Sequence, residues 1–137
     1  MILKEISSNR IKVACDFVIE QDGKILLGKR KNTFGSGTWA LPGGHLEYGE
    51  KISDCLNREL NEELGITPID FFLIGVFDDI ESRGHHVHVA FKITKFDGEI
   101  SLKEPHKCEE LRSFFLDQLP KEMFSAQKNI FNFLIGN

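Results

Sequence analysis

The sequence is poor in the residues that mark several large classes of protein. It has three cysteines, an odd number with no CxxC spacing, which argues against a disulfide framework and against a zinc site; they are Cys15, Cys55 and Cys108. We therefore expect free thiols in a reducing cytoplasm. It also lacks an excess of basic residues, since 17 Lys and Arg face 21 Asp and Glu for a net charge of -4. This balance argues against nonspecific binding to duplex nucleic acid.

Long apolar runs are also missing. No segment approaches the roughly 18 apolar residues of a membrane span, so we expect no membrane partner. Residues 1–10 carry Lys4, Glu5 and Arg10 and lack the uninterrupted apolar stretch of a signal peptide. A chain of 137 residues, 41% of them hydrophobic, suffices for one core and is short for two. We expect one domain, residues 1–137.

The apolar pattern predicts strands and helices in irregular alternation. The predicted strands cover residues 11–20, 24–29, 71–77, 86–94 and 111–116. Residues 21–24 and 96–99 have turn composition, and Pro42-Gly43-Gly44 should stop regular structure. A helix is predicted over 51–64 with Gly65 as its C-cap, and an amphipathic helix from about Phe124 should end before Gly136. This order favours a mixed α/β (α+β) fold, in which helices cover the faces of a mixed sheet.

The helix over 51–64 changes chemistry along one face. Three apolar residues are each followed seven positions later, close to two helical turns, by a glutamate. The pairs are Ile52 and Glu59, Cys55 and Glu62, and Leu56 and Glu63. Ser53, Asn57 and Asn61 are better placed for the solvated side. The glutamates therefore continue the inward-facing side of the helix.

Spacings of three and four residues make these carboxylates neighbours. Two such charges about 4 Å apart repel by roughly 4 kcal/mol at an effective dielectric of 20. Arg58 points away from the middle of the acidic stripe on a helical wheel and cannot neutralise three charges, whereas a divalent cation can. Oxygen ligands without cysteine suit Mg²⁺ or Mn²⁺ better than zinc. A charged helix end without function is the alternative.

The segment before this helix strengthens the metal interpretation. Gly43 and Gly44 let backbone groups approach a ligand closely, as a metal-bound phosphate needs. Gly44, five residues, Glu50, seven residues and then the run 58–66, RELNEELGI, resemble the Nudix box at every defined position. The box spans residues 44–66. Residues 26–30 and 39–45 resemble the nucleoside-triphosphate diphosphatase branch, which includes nucleotide-pool sanitising enzymes.

The resemblance implies a Nudix fold, with a mixed sheet between helices and a loop-helix-loop catalytic motif. It also implies a Mg²⁺-dependent (or Mn²⁺-dependent) pyrophosphohydrolase that converts nucleoside triphosphates, normal or oxidised, to monophosphate and pyrophosphate. The metals would be held by four residues, Gly44 through its carbonyl and Glu59, Glu62 and Glu63 through their carboxylates. Arg58 and Glu50 would pair and orient the cluster.

Further candidates would contact the substrate or accept a proton. Glu109 or Glu110 could serve as an additional base or ligand. The expected substrate contacts are Arg30, Gly43, His45, His86 and Phe124, with His88 and Phe34 as weaker candidates. Each histidine, taken alone, is more often a structural residue of the sheet. Trp39 is expected in the core.

Several alternatives stay open. The substrate could be another nucleoside diphosphate derivative: a nucleotide sugar, a dinucleotide polyphosphate or capped RNA. Neither the proline nor the tyrosine that marks certain subfamilies occurs between Ile80 and Arg83, which counts against ADP-ribose and diadenosine substrates. A catalytically silent nucleotide-sensing module would be expected to lose box carboxylates, and this chain keeps them. A homodimer is left open as a partner.

Overall fold

The computed structural model describes residues 10–136, so the expectation for the first nine residues lies outside the described chain. The strands are β1 Lys12–Gln21, β2 Lys24–Arg30, β3 Trp39–Ala40, β4 Gly43–His45, β5 Thr67–Asp79, β6 His86–Asp97 and β7 Cys108–Phe115. The α-helices are α1 Ile52–Leu64 and α2 Lys128–Gly136. Short 3-10 turns cover Leu116–Gln118 and Ser125–Gln127.

The strands form a mixed sheet, as predicted. β1 lies parallel to β6 and antiparallel to β2 and β4. β5 extends the sheet antiparallel to β6, and β3 and β7 both pair with β2. The tight turn between β1 and β2 has positive φ at Asp22 and Gly23, which suits a two-residue hairpin loop.

Apolar side chains of β1 point alternately to the two faces of the sheet, and a helix covers each face. Phe17 and Ile19 belong to the core beneath α1, together with Leu56, Leu60 and Leu64 of that helix. The intervening Val18 belongs to the core beneath α2, which includes Ile130 and Phe131. Because β1 is buried on both sides, its sequence is almost continuously apolar. The helix α1 ends at Gly65, whose φ of 72° is the predicted left-handed C-cap.

Two predictions of local structure were wrong. Gly43 and Gly44 do not stop regular structure but form β4 against β1, with Cys15 opposite Gly44. A Cβ on Gly43 would collide with the carbonyl of Cys15, so only glycine permits this approach. The C-terminal α-helix begins at Lys128 rather than near Phe124, and it includes Gly136. β5 and β6 are also longer than predicted, because they pair with each other from Thr67 to Asp97.

The structure also bears on the predictions about disulfides and membrane spans. All three cysteines are free thiols. In the stretch 10–136 no helix is long and apolar enough to span a bilayer. The cytoplasmic location and the homodimer stay predictions.

Candidate active site

A cavity of about 500 Å³ opens between the sheet and the second half of α1. Two parts of its lining differ in chemistry, and they meet at Gly43, which pairs with Asp16 in the sheet and donates to Glu63. The acidic end comprises Gly43, Gly44, Arg58, Glu59, Glu62 and Glu63. The polar floor comprises Asp16, His88 and Gln127, and Arg30, Arg83 and Phe124 also line the cavity.

Glu59 and Glu63 meet at the acidic end. They lie one turn apart on α1, and each carboxyl group shifts the pKa of the other. The backbone N–H of Gly43 donates to Glu63 Oε2 at 3.2 Å. Gly44 lies against the Glu59 carboxylate so closely that any Cβ at Gly44 would collide with it. The box glycine is therefore required for the glutamate to reach the cavity.

Burial makes this pair costly to ionise. It raises the pKa of Glu59, although hydrogen bonds and charge from Arg58 oppose the shift. Burial raises the pKa of Glu63 well above its ordinary value, and the neighbouring charge of Glu59 raises it further. Two neighbouring carboxyl groups that are costly to ionise together gain most from a cation that offsets their charge.

Arg58 holds the cluster together, contrary to the prediction that it points away from the acidic stripe. Its Nε and Nη2 donate to the two oxygens of Glu50 at 2.7 and 3.0 Å, and Nη1 donates to Glu59 Oε1 at 2.7 Å. Nη2 also donates to the carbonyl of His45 at 3.0 Å. Hydrogen bonding to Arg58, helped by the backbone N–H of Glu47, lowers the pKa of Glu50 to about 2. The predicted Arg58–Glu50 pair is therefore present and ionised.

Glu62 and Ile52 depart from the predicted arrangement on α1. Glu62 is exposed and lies 3.5 Å from Arg58 Nη1 instead of joining Glu59 and Glu63. Ile52 is 39% exposed because it begins the helix, beyond the edge of the core. Across the described part of the chain, no three His, Cys, Asp or Glu side chains are already arranged as a metal-ligand set. The metal role of the three glutamates stays a prediction.

A later carboxylate lines the cavity, but not one of those predicted. Glu109 and Glu110 lie in β7, paired with Lys29 at 3.4 Å and with Arg112 at 2.7 Å, and neither lines the cavity. Glu104 lines it, and its charge contributes to the raised pKa of Glu63. The loop carrying Glu104 is joined to the end of α1, because the N–H of Lys103 donates to the carbonyl of Glu63. No sequence motif distinguished Glu104 from its neighbours.

The sequence analysis named His88 of the polar floor as a weaker candidate and missed Asp16 and Gln127. His88 Nδ1 lies 2.6 Å from Asp16 Oδ2, and Gln127 Nε2 donates to Asp16 Oδ1 at 2.7 Å. All three residues are buried. Burial lowers the pKa of His88, but its hydrogen bond to Asp16 and the charges of Asp16 and Asp79 outweigh burial and raise it overall. The available signal was Asp16 itself, a lone carboxylate within the apolar run of β1.

Arg30 and Phe124 form one wall, as the substrate-contact prediction requires. The Arg30 guanidinium lies 3.9 Å from the Phe124 ring centroid, and its Nε donates to the carbonyl of Phe34 at 2.8 Å. Burial and the charge of Arg83 lower the pKa of Arg30. Arg83, which was not predicted, lies 5.1 Å from the Phe34 ring. Two cations therefore face the cavity from this side.

The two histidines predicted to contact substrate separate in the structure. His45 lines the cavity, whereas His86 does not; it is buried, 5.3 Å from the His45 ring. Within residues 10–136 neither ring nitrogen of His86 has a hydrogen-bond partner. The neighbouring His88 lines the cavity instead. Trp39 is in the core, packed edge-on against Phe114 at 5.0 Å, as expected.

Comparison with known families identifies this arrangement. The NUDIX domain family matches residues 9–134, nearly the whole chain. The chain belongs to the Nudix family. The acidic end is therefore the region of the Nudix box, and the predicted family and fold are confirmed.

Individual Nudix relatives carry different substrate names. The chain is 40% identical over 124 residues to an ADP-ribose pyrophosphatase of Methanocaldococcus jannaschii, an alignment that covers 89% of this chain and 72% of the relative. It is 35% identical over 108 residues to the oxidized purine nucleoside triphosphate hydrolase of Danio rerio, covering 75% of this chain and 65% of that protein. These names agree on hydrolysis of a nucleotide derivative and differ on which one.

A solved Nudix structure supports the fold directly. The MutT NUDIX hydrolase of Burkholderia pseudomallei superposes with a TM-score of 0.82 at 35% identity, covering 90% of this chain and 97% of the other. Nudix hydrolases act on pyrophosphate bonds in nucleotide derivatives and generally use divalent metal ions. The Glu59–Glu63 pair fits such an ion, because it offers hard oxygen donors whose mutual repulsion a cation relieves.

Proposed function

We propose that the chain is a Mg²⁺-dependent pyrophosphohydrolase that converts nucleoside triphosphates to monophosphates and pyrophosphate. The observation that carries the proposal is the carboxyl pair of the buried Glu59 and the half-buried Glu63, held against Gly43 and Gly44 beside a cavity of about 500 Å³. A buried acidic pair costs stability unless a cation offsets it. A divalent ion that also neutralises a diphosphate gives the pair a function.

The residues of the acidic end divide into ligands and supports. Glu59, Glu63, the exposed Glu62 and the carbonyl of Gly44 would hold the metal, which when bound lowers the pKa of a water and neutralises the diphosphate. Arg58 and Glu50 fix the position of Glu59 through the hydrogen bonds described above. Glu104 replaces Glu109 and Glu110 as our candidate for accepting the proton of the attacking water, because it lines the cavity.

The other wall would bind the rest of the nucleotide. Arg30 and Arg83 place two positive charges beside the cavity in a chain of net charge -4, which favours a phosphate-bearing ligand. Phe124 is already covered by Arg30 at 3.9 Å, so a base would stack there only if the guanidinium moved. His45 lines the same cavity and is a further candidate for substrate contact.

A second candidate substrate is ADP-ribose. It is favoured by the 40% identity to the archaeal protein of that name, an observation that weighs against the missing subfamily signals in the sequence. Both substrates carry an internal diphosphate between a nucleoside and a second group, so the acidic end would treat them alike. They differ only in what lies beyond the second phosphate.

Parallel assays with the purified chain separate the two. Nucleoside triphosphates and ADP-ribose should be compared at equal concentration with Mg²⁺, with all products identified. We expect monophosphate and pyrophosphate from the triphosphates, with a kcat/KM above that for ADP-ribose. Faster release of AMP and ribose 5-phosphate from ADP-ribose would establish the second candidate instead. Failure to cleave either class would refute both.

A further inference from the structure

The polar floor of the cavity is a hydrogen-bond network in which, among the described residues, only the Nε2 atom of His88 lacks a partner. Gln127 Nε2 donates to Asp16 Oδ1 at 2.7 Å and to the carbonyl of Leu41 at 3.2 Å, and Gln127 Oε1 accepts from the N–H of Leu41 at 2.8 Å. His88 Nδ1 meets the other oxygen of Asp16 at 2.6 Å. These side chains come from β1, β6 and the turn before α2, and all of them line the cavity.

The network leaves only one orientation for the Gln127 amide. Reversing it would set Oε1 against the Asp16 carboxylate and the Leu41 carbonyl, and would set an N–H group against the N–H of Leu41. In the observed orientation both amide hydrogens are used. Gln127 therefore has no donor left for a ligand, while Oε1 keeps one lone pair.

Asp16 likewise offers acceptors alone. A carboxylate has about four acceptor positions, and within the described residues two are used, one on each oxygen. Because Nδ1 of His88 must carry a hydrogen to bond the carboxylate, the unpartnered Nε2 of that ring accepts in the neutral form and donates in the protonated form. The part of the floor built by Asp16 and Gln127 thus presents oxygen lone pairs and no hydrogens.

We propose that Asp16 is a specificity-determining residue that, with Gln127 held in place, selects a nucleobase bearing an amino group. This inference rests on the proposed nucleotide-binding function of the cavity. Amino groups of adenine, cytosine and guanine donate hydrogens, and carboxylates accept from such groups in other base-recognition sites. A carbonyl in the same place would direct its lone pairs at the acceptors of the floor and lose affinity.

Charge and shape argue for the base rather than the other parts of the nucleotide. A phosphate would be repelled by the carboxylate of Asp16, and Arg30 and Arg83 offer it a better position. A ribose hydroxyl is also a donor and shares the required chemistry. The apolar Ala40 and Leu41 beside the floor favour a flat ring, and the experiment must distinguish the two donors.

The test uses nucleoside monophosphates, whose binding does not depend on turnover. Dissociation constants are measured by calorimetry on the wild-type chain for three pairs in which one member has an amino group that the other lacks. In AMP and IMP, and in CMP and UMP, a carbonyl and a ring N–H replace the amino group, whereas in GMP and IMP a hydrogen replaces it. In at least one pair the amino member should bind about tenfold or more tightly, the factor that one net hydrogen bond gives. The 2′-deoxy and 3′-deoxy forms of the amino member should bind within about threefold of it.

A variant tests whether Asp16 causes the preference for bases with an amino group. Asp16→Asn presents amide hydrogens in place of an oxygen and should reduce the preference at least about tenfold, or reverse it. The matched control is Asp79→Asn, a second buried carboxylate near His88 that does not line the cavity, which should retain the preference. Thermal melting shows whether each variant is folded.

The comparison of nucleotide pairs on the wild-type chain tests the proposal even if Asp16→Asn does not fold. Equal binding within all three pairs, or tighter binding of IMP and UMP, would overturn the proposal. If removing a ribose hydroxyl weakened binding strongly while removing the amino group did not, the floor would bind the ribose, and the proposal would also be overturned. Hydrolysis of triphosphates or ADP-ribose is measured separately, so selectivity can fail while the pyrophosphohydrolase assignment stands.

Discussion

The acidic end and the polar floor of the cavity are assembled in different ways. The acidic end comes from one continuous stretch, residues 43–63, in which two glycines, a loop and one helix place every important group. The polar floor joins residues far apart in the chain, and Asp16 and Gln127 are 111 positions apart. A site built by local geometry can be recognised from spacing. A site built by the packing of β1, β6 and α2 becomes visible only in the folded chain.

The acidic end and the polar floor also differ in electrostatics, and we infer that they have different functions. At the acidic end burial raises the pKa of Glu59 and Glu63, so ionising this pair is costly. At the floor Asp16 has two hydrogen-bond partners within the protein. We infer that the acidic end performs the reaction while the floor selects the ligand. Changes at the first should lower kcat, and changes at the second should alter binding.

The largest expected effect comes from Glu63→Gln. It removes a metal-binding charge from the buried pair and should lower kcat by at least about 100-fold, since even residues that only support metal ligands have effects of 10 to 100-fold. The variant should melt no lower than wild type without metal, because repulsion with Glu59 is relieved. The matched control is Glu109→Gln, on β7 outside the cavity, which should stay near wild-type activity. Near wild-type turnover by Glu63→Gln would remove this residue from the ligand set.

Metal removal should act on the same end with a similar effect on turnover. Excess EDTA should abolish activity, and Mg²⁺ or Mn²⁺ at about 100 times its dissociation constant should stabilise the fold by about 2.7 kcal/mol. For a chain of this length that raises Tm by roughly 5 to 10 °C. Scanning calorimetry of wild type and Glu63→Gln should show a smaller rise in the variant. Full activity in EDTA would contradict the metal hypothesis.

A smaller effect is expected where a residue only supports the ligands. Arg58→Lys keeps the charge but cannot bond both oxygens of Glu50 and also reach Glu59, so kcat should fall about 10 to 100-fold. Arg112→Lys, on β7 and outside the cavity, is the control. Steady-state kinetics at saturating metal measure kcat for both variants. Equal activity of the two variants would show that the Arg58 network does not position the site.

The smallest effect should appear at the floor, as a pH dependence of stability. Asp16 raises the pKa of His88 above its ordinary 6.5, so this contribution is fully present below pH 6.5 and is lost as the pH rises through the folded-state pKa. The difference in unfolding free energy between wild type and His88→Gln should therefore shrink from pH 6 to pH 8. Denaturant titrations at each pH measure it, with His106→Gln, an exposed position, as control. A difference independent of pH would mean that His88 is not charged at the floor.

Much of the fold followed from local patterns. The β1–β2 hairpin, α1 and its Gly65 cap were predictable because turn residues and helical spacing act over a few positions. The strand at Gly43–His45 was not, because its glycines pair with a β1 strand that lies far away in sequence. His86 and Phe124 were predicted as substrate contacts from their positions in the sequence. Tertiary packing buries His86 away from the cavity and covers Phe124 with Arg30.

Within the acidic end, spacing predicted the face but not each side chain. Glu59 and Glu63 point inward, whereas Glu62 lies at the exposed edge with Arg58. A helical wheel places Cβ atoms and cannot show that a long arginine turns back along the helix to reach Glu50 and Glu59. The choice of Glu104 over Glu109 likewise depends on how the loop after β6 is joined to the end of α1.

The most direct test of the central claim is the bond that breaks. A nucleoside triphosphate is hydrolysed with Mg²⁺ in water enriched in heavy oxygen, and both products are weighed by mass spectrometry. We predict monophosphate and pyrophosphate, with one labelled oxygen in only one of them: in the monophosphate for attack at the α phosphorus, or in pyrophosphate for attack at β. Nucleoside diphosphate and orthophosphate as the main products would contradict the assignment of the acidic end to internal diphosphate hydrolysis.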